Sequence, residues 1–209
     1  MASFFDRNRK ALIAKGIAPE RLPPGQYSTD RFPVLHVGDV PDYGDLSNWS
    51  LTIGGATERQ LVLSWAEILD LPQVETVVDI HCVTKWSKFD TAWRGVAMET
   101  IFELVGVLPE ANFLIEHAEG GYTTNVPLHR IRGNDDQGRP RAFIGHTFDG
   151  EPLDPEHGYP LRMVIPELYF WKSAKWLRGL ELSVGDQPGF WERNGYHNEG
   201  DPFLEQRFG

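Results

Sequence analysis

The sequence predicts a single β-rich α+β domain, and three observations carry that expectation. A series of short runs rich in β-branched and aromatic residues is punctuated by Gly, Pro and Asn/Asp turns. Only three stretches carry helical spacing or helix signals, at 3–15, 64–69 and 98–106. No internal repeat or low-complexity linker divides the chain, so strands and helices must share one core.

In chain order, residues 3–15 form an amphipathic helix closed by Gly16 and Pro19. Residues 19–45 hold Pro19, Pro23, Pro24, Pro33 and Pro41 with Gly25, Gly38 and Gly44, which predicts an extended arm. "NWSLTIGG" is a strand ending in a Gly-Gly turn. Ser64 and Glu67 have the spacing of a reciprocal helix cap before Ile68 and Leu69. "VETVVDIHC", 74–82, is a buried strand that delivers Cys82 to a loop, and "METIFELVG", 98–106, is a helix with a Gly stop. "NFLIEHA" and "YTTNVPL" flank a Gly120-Gly121 turn, and "NDDQGRPR" is a polar turn. "AFIGHTFDGEPL", "LRMVIPELYF" and "WLRGLELSV" follow as strands, and the residues from 185 onward form an irregular tail.

Composition bounds the function. The 209 residues are 41% hydrophobic and 24% charged, with 12 Phe, 7 Trp and 6 Tyr, enough for a sizeable core. Thirty acids against 20 bases give a net charge of −10, which excludes a general nucleic-acid binder. One cysteine excludes an intrachain disulfide framework. No run reaches the roughly 18–20 apolar residues of a membrane span, and the N-terminal residues lack the apolar core of a signal peptide, so the expectation is a cytoplasmic protein without membrane contact.

Two clusters carry chemistry. Cys82 stands at a strand end beside Lys85 and Lys88, cations that favour the thiolate, the nucleophilic and metal-binding form. The competing reading is a buried structural cysteine. His81 and Cys82, as strand neighbours, face opposite sides, and without a second cysteine a structural zinc site is excluded. In "HGYPLRMVIPELYFWKSAKW", 157–176, Arg162, Ser173, Lys175 and backbone N–H groups form a set that can hold a phosphate; a solvated charged turn with Trp anchors explains the composition equally well.

Together, "CVTKWS" after a strand, "WRGV", "GGYTTNVPL", "GEPLDPEHGYPLRMVIPELYFWKSAKWLRGLEL" and "PGFWERNGYHNEGDP" resemble the molybdopterin-binding oxidoreductase domain of the sulfite oxidase superfamily over residues 30–205. The resemblance implies a β-rich α+β fold with a helix and arm over 1–30 and the molybdopterin-binding domain over 31–209. It also implies a cofactor, molybdenum held by molybdopterin, with Cys82 as the one protein ligand on the metal and Trp86 and Lys85 beside it in the catalytic group. It places His157 and Arg162 on the pterin and its phosphate, and Ser173, Ala174 and Lys175 in the loop that grips the phosphate. Arg31 and Phe32 fall near an N-terminal cofactor-contacting segment, and His117 in or next to another.

The implied reaction is two-electron oxygen-atom transfer to or from a small substrate, either sulfite-like or an S- or N-oxide. Val83-Thr84-Lys85-Trp86-Ser87 replaces the arginine-bearing segment that follows the ligand cysteine of sulfite oxidases, and this is closer to the branch of the methionine sulfoxide reductases. The same reading expects a separate electron-transfer partner and a monomer. Two alternatives remain at this point: a non-catalytic cofactor-binding module of the same fold, and a cofactor-free thiol enzyme using Cys82.

Overall fold

The computed structural model describes residues 4–209, with side chains from Asn8 onward; Ser3, the first residue of the predicted N-terminal helix, lies outside them. The regular elements are α1 (Phe4–Ala14), β1 (Tyr27–Ser28), β2 (Ser50–Gly55), β3 (Leu61–Ser64), α2 (Trp65–Asp70), β4 (Val74–His81), β5 (Trp86–Ala97), α3 (Met98–Val105), β6 (Phe113–Ala118), β7 (Thr123–Pro127), β8 (Phe143–Phe148), β9 (Glu151–Pro152), β10 (Arg162–Val164), β11 (Leu177–Ser183) and α4 (Phe190–Arg193). The mixed, strand-rich architecture is the predicted α+β class.

Two sheets share the chain. In one, β5 pairs with β1, β4 and β8, and β8 pairs with β9 and β10. The other runs β3-β2-β11-β6-β7. Leu51 and Ile53 of β2, Leu114 of β6 and Leu180 and Leu182 of β11 meet Val96, Ile144 and Met163 of the first sheet in one buried cluster. Helix α3 adds Met98, Ile101, Phe102 and Val105 to it, each worth about 1.5–3 kcal/mol of burial. A smaller cluster joins Val78, Ile80, Cys82, Trp86, Trp93, Phe143 and Val164, with Phe32 and Phe170 packed against it. The thiol thus sits at the edge of a core, where packing fixes its backbone.

Local signals explain most elements. The Ser64 side chain accepts from the Glu67 N–H, and the Glu67 carboxylate accepts from the Ser64 N–H at 2.8 Å, so the predicted reciprocal cap is present. Gly106 closes α3 in the left-handed region at φ 65°, its N–H on the Phe102 carbonyl. The segment over 21–28 is tied to the rest: β1 pairs in parallel with the start of β5, and Arg21 forks onto Asp79 at 2.8 and 2.6 Å.

The structure departs from the sequence reading at β5. The sequence places a loop after Cys82 and marks no strand there, yet Trp86 opens a 12-residue strand, the longest among the described residues. Its partner β4 shifts register between Val78 and Ile80, and Asp90 lies at φ 54°, so the period of two on which a sequence reading depends is broken midway. Strand β10 is also shorter than "LRMVIPELYF" suggested, since Pro166 has no N–H to continue a ladder.

Candidate functional site

Cys82 lies in the four-residue turn between β4 and β5. Its N–H donates to the Trp86 carbonyl at 2.9 Å and its carbonyl accepts from the Lys85 N–H at 3.0 Å, with Lys85 at φ 77° closing the turn. The Thr84 hydroxyl donates to Sγ at 3.1 Å. Burial pushes the thiol pKa up, and the Thr84 bonds, Arg207 and Lys175 oppose that shift. His81 points the other way: its Nδ1 meets the Ser87 hydroxyl at 2.8 Å, as strand alternation requires.

The thiol opens on a cavity of about 330 Å³ whose lining includes Phe32, Cys82, Thr84, Trp86, Ala118, Tyr122, Arg162, Phe170, Ser173, Ala174, Lys175 and Trp176. Trp86 is buried, and its indole N–H has no protein partner. Phe32 packs edge-on against Trp86 at 6.2 Å and stacks on the His157 ring at 4.0 Å. His157 Nε2 donates to the Phe32 carbonyl at 3.1 Å; burial lowers its pKa and keeps the ring neutral.

On the cavity's cationic side, Arg162 is 1% exposed and commits three N–H groups, to the carbonyls of Met163 (3.3 Å), His157 (2.8 Å) and Ser173 (3.0 Å). A guanidinium has five donors, so two remain for a ligand. Its Cζ lies 4.1 Å from the Phe170 ring centroid. Lys175 Nζ donates to the Glu156 carbonyl at 2.6 Å, and burial with the nearby Arg162 lowers its pKa to about 7. The N–H groups of Lys175 and Trp176 have no protein acceptor among the described residues. Gly158, at φ 114°, lets the preceding turn approach, since a Cβ there would sit 3.1 and 3.2 Å from the β-carbons of Arg162 and Lys175.

Several expected positions are thereby corrected. The loop over 171–175 is not a solvated charged turn. Lys172 is fully buried, with Nζ on the Asn125 carbonyl (2.8 Å) and on Glu192 (2.6 Å). The Ala174 N–H is held by Glu116 at 2.8 Å, so the backbone donors left over are those of Lys175 and Trp176. Arg31 and Lys85 are exposed and do not line the cavity. His117 does not line it either; its Nε2 meets Glu181 at 3.0 Å, while its strand neighbour Ala118 faces the cavity. Thr84, Glu116 and Glu192 escaped the sequence reading because their partners lie far away in the chain or act through a side-chain rotamer, and no local pattern marks either.

Among the described residues no group of three or more His, Cys, Asp or Glu could hold a metal ion. A metal at Cys82 would therefore need its other ligands from a cofactor. The cavity suits such a group: a soft thiol on one wall, two spare guanidinium donors, an ammonium and two unpaired backbone N–H groups for an anion, and aromatic faces between. Fold and site fit a protein that binds an anionic organic cofactor.

The comparisons agree. Residues 37–191 match the oxidoreductase molybdopterin binding domain, and the chain belongs to that family. It is 50% identical over 188 residues to "Uncharacterized oxidoreductase YuiH" of Bacillus subtilis, covering 90% of this chain and 92% of the relative. It is 26% identical to the protein-methionine-sulfoxide reductase catalytic subunit MsrP of Campylobacter jejuni, covering 80% of this chain and 59% of that protein. Among solved structures, the sulfane dehydrogenase SoxCD of Paracoccus pantotrophus shares the fold, with a TM-score of 0.64 and 20% identity over 78% of this chain and 44% of that one. The protein is thus a molybdopterin-binding oxidoreductase, and the cofactor of its family is molybdopterin, the organic carrier of molybdenum.

Proposed function

We propose that this chain carries out two-electron oxygen-atom transfer on a small substrate, with the Cys82 thiolate as the single protein ligand on molybdenum. The observation that carries the reading is one cavity in which Cys82 and the Arg162–Lys175 anion grip, about 80–90 residues apart in sequence, face the same space. When bound, the cofactor would supply the redox chemistry. The chain's own residues bind, orient and exclude water. Arg162, the Ser173 hydroxyl, Lys175 and the backbone N–H groups of Lys175 and Trp176 take the phosphate. Phe32, with His157 stacked behind it, and Trp86 wall the reaction space, and Thr84 orients Sγ.

On this reading the phosphate takes up Arg162 and Lys175, the two cations that line the cavity, and Lys85 lies outside the lining. This favours an uncharged oxide, such as an S- or N-oxide, over a sulfite-like anion, which would need its own cationic clamp. Electrons would come from or go to a separate redox partner. The cofactor-free thiol alternative gains nothing here: among the described residues Sγ is hydrogen-bonded by the Thr84 hydroxyl and by no imidazole that could take its proton.

Protein purified from a molybdopterin-competent host should carry near-stoichiometric molybdenum and release a fluorescent pterin on oxidation. Cys82→Ser should keep the pterin and lose oxygen-atom transfer. Wild-type protein holding neither metal nor pterin would refute the reading, and full activity in Cys82→Ser would refute the ligand assignment.

A further inference from the structure

We propose that the thiol-bearing turn is clamped from both ends of the chain, with Gln26 and Arg207 as positioning residues for Cys82. The inference rests on the reading of Cys82 as the metal ligand. Residues 82–85 are a short turn with a non-glycine residue, Lys85, at φ 77°, a conformation that costs on the order of 1 kcal/mol and persists only when its surroundings hold it. Those surroundings come from the termini. Gln26, 1% exposed, donates its amide N–H to the Cys82 carbonyl at 3.0 Å. The neighbouring Tyr27 N–H donates to the Lys85 carbonyl at 2.8 Å. From the other end, Arg207 Nη1 donates to the Val83 carbonyl at 2.8 Å.

Arg207 is itself fixed, which is what makes it a clamp instead of a loose surface side chain. Its Nη2 donates to the Pro24 carbonyl at 3.2 Å, and its guanidinium lies 5.0 Å from the Tyr169 ring centroid. Tyr169 forms a bridge with His81, the residue before the cysteine. Gly25, at φ 68°, leaves the space: a Cβ there would come within 3.0 Å of Glu205 and 3.3 Å of Arg207. One guanidinium therefore joins the N-terminal arm, the C-terminal tail and the thiol turn. Three of the four carbonyls in that turn are held by hydrogen bonds, two of those carbonyls through Gln26 and Arg207. A ligand held this way meets the metal in one orientation, and outer partners of that kind tune a metal centre as well as place it.

The test measures alkylation of Cys82 by iodoacetamide in the full chain from a molybdopterin-deficient host, and the redox midpoint of the metal in the same variants loaded with cofactor. Arg207→Met and Gln26→Met should each raise the alkylation rate about tenfold, as local opening becomes easier, while global denaturation midpoints stay near wild type. Loaded variants should keep their pterin and show a displaced midpoint potential. Arg207→Lys keeps the charge and the stem over Tyr169, so it should recover part of the protection. Unchanged alkylation and an unchanged midpoint overturn the proposal. So does an alkylation rate that merely follows global stability across the three variants. The ligand reading fails separately: a metal spectrum indifferent to Cys82→Ser removes it and leaves the alkylation result standing.

Discussion

Replacing Lys172 by Met tests whether the anion grip stands on a buried ion pair. The ammonium is fully buried, and its three donors go to the Asn125 carbonyl (2.8 Å), the Asn125 side-chain oxygen (3.1 Å) and Glu192 Oε1 (2.6 Å). The Glu192 side chain is 2% exposed; its Oε1 also accepts from the Trp171 indole at 2.9 Å and the Thr124 hydroxyl at 3.2 Å, and its Oε2 has no partner among the described residues. Met fills the stem's volume but leaves a carboxylate buried without its cation, and two Asn125 acceptors unpaired. That costs about 3–5 kcal/mol, a large part of a typical total of ~5–15 kcal/mol. Adding Glu192→Gln removes the orphaned charge, so the double variant should be more stable than the sum of the singles by about 2 kcal/mol. Urea unfolding of the cofactor-free chain, with m constant across the set, reads both numbers. A Lys172→Met loss under about 1 kcal/mol, or plain additivity in the cycle, would show that the pair is not the support described.

Three further outcomes follow from the same site. Burial raises the Glu116 pKa to about 8, so the folded chain holds a proton there that the unfolded chain releases near pH 4.5, and wild-type stability falls as pH rises between those values. Glu116→Gln keeps an acceptor for the Ala174 N–H; it should be close to neutral at pH 5 and stabilising relative to wild type at pH 9, and an equal difference at the two pH values would contradict this. Lys175→Ala should speed pterin release about tenfold or more while Lys175→Arg retains the cofactor, read by dialysis and pterin fluorescence; equal retention in all three proteins removes Lys175 from the phosphate grip. Gly158→Ala, which places a Cβ against Arg162 and Lys175 at φ 114°, should cost about 1–3 kcal/mol and loosen the cofactor as well; an unchanged melting midpoint would show that the turn yields freely.

What the sequence made legible was local. The Ser64–Glu67 cap, the Gly106 stop and the β-branched run into Cys82 are decided by neighbours within a few residues, and each lies where short-range chemistry places it. Strand alternation alone was enough to send His81 and Cys82 to opposite faces. At the site, Cys82, Arg162, Ser173 and Lys175 sit in compact motifs, the family resemblance adds Ala174, and the structure brings all five to one cavity. The same compactness does not bring Lys85 and His117 to the cavity. Lys85 is three residues from the thiol in sequence, but its left-handed backbone closes a turn and leaves it outside the cavity. His117 is one pleat out of phase, so Ala118 takes the inward place. Lys172 is buried by partners that no local pattern announces, Glu192, twenty residues on, and Asn125, forty-seven back.

Gln26 and Arg207 were unreadable for a stronger version of the same reason. A hydrogen bond between residues 56 or 124 positions apart leaves no periodicity, and its donors look like ordinary arm and tail residues. Loop closure over such separations is costly, and the fold recovers that cost only by packing both termini against the β4–β5 sheet. Those termini therefore cannot be trimmed as mere packaging around a 37–191 family core: the turn that carries the thiol lies inside that span, while two of its side-chain restraints lie outside it.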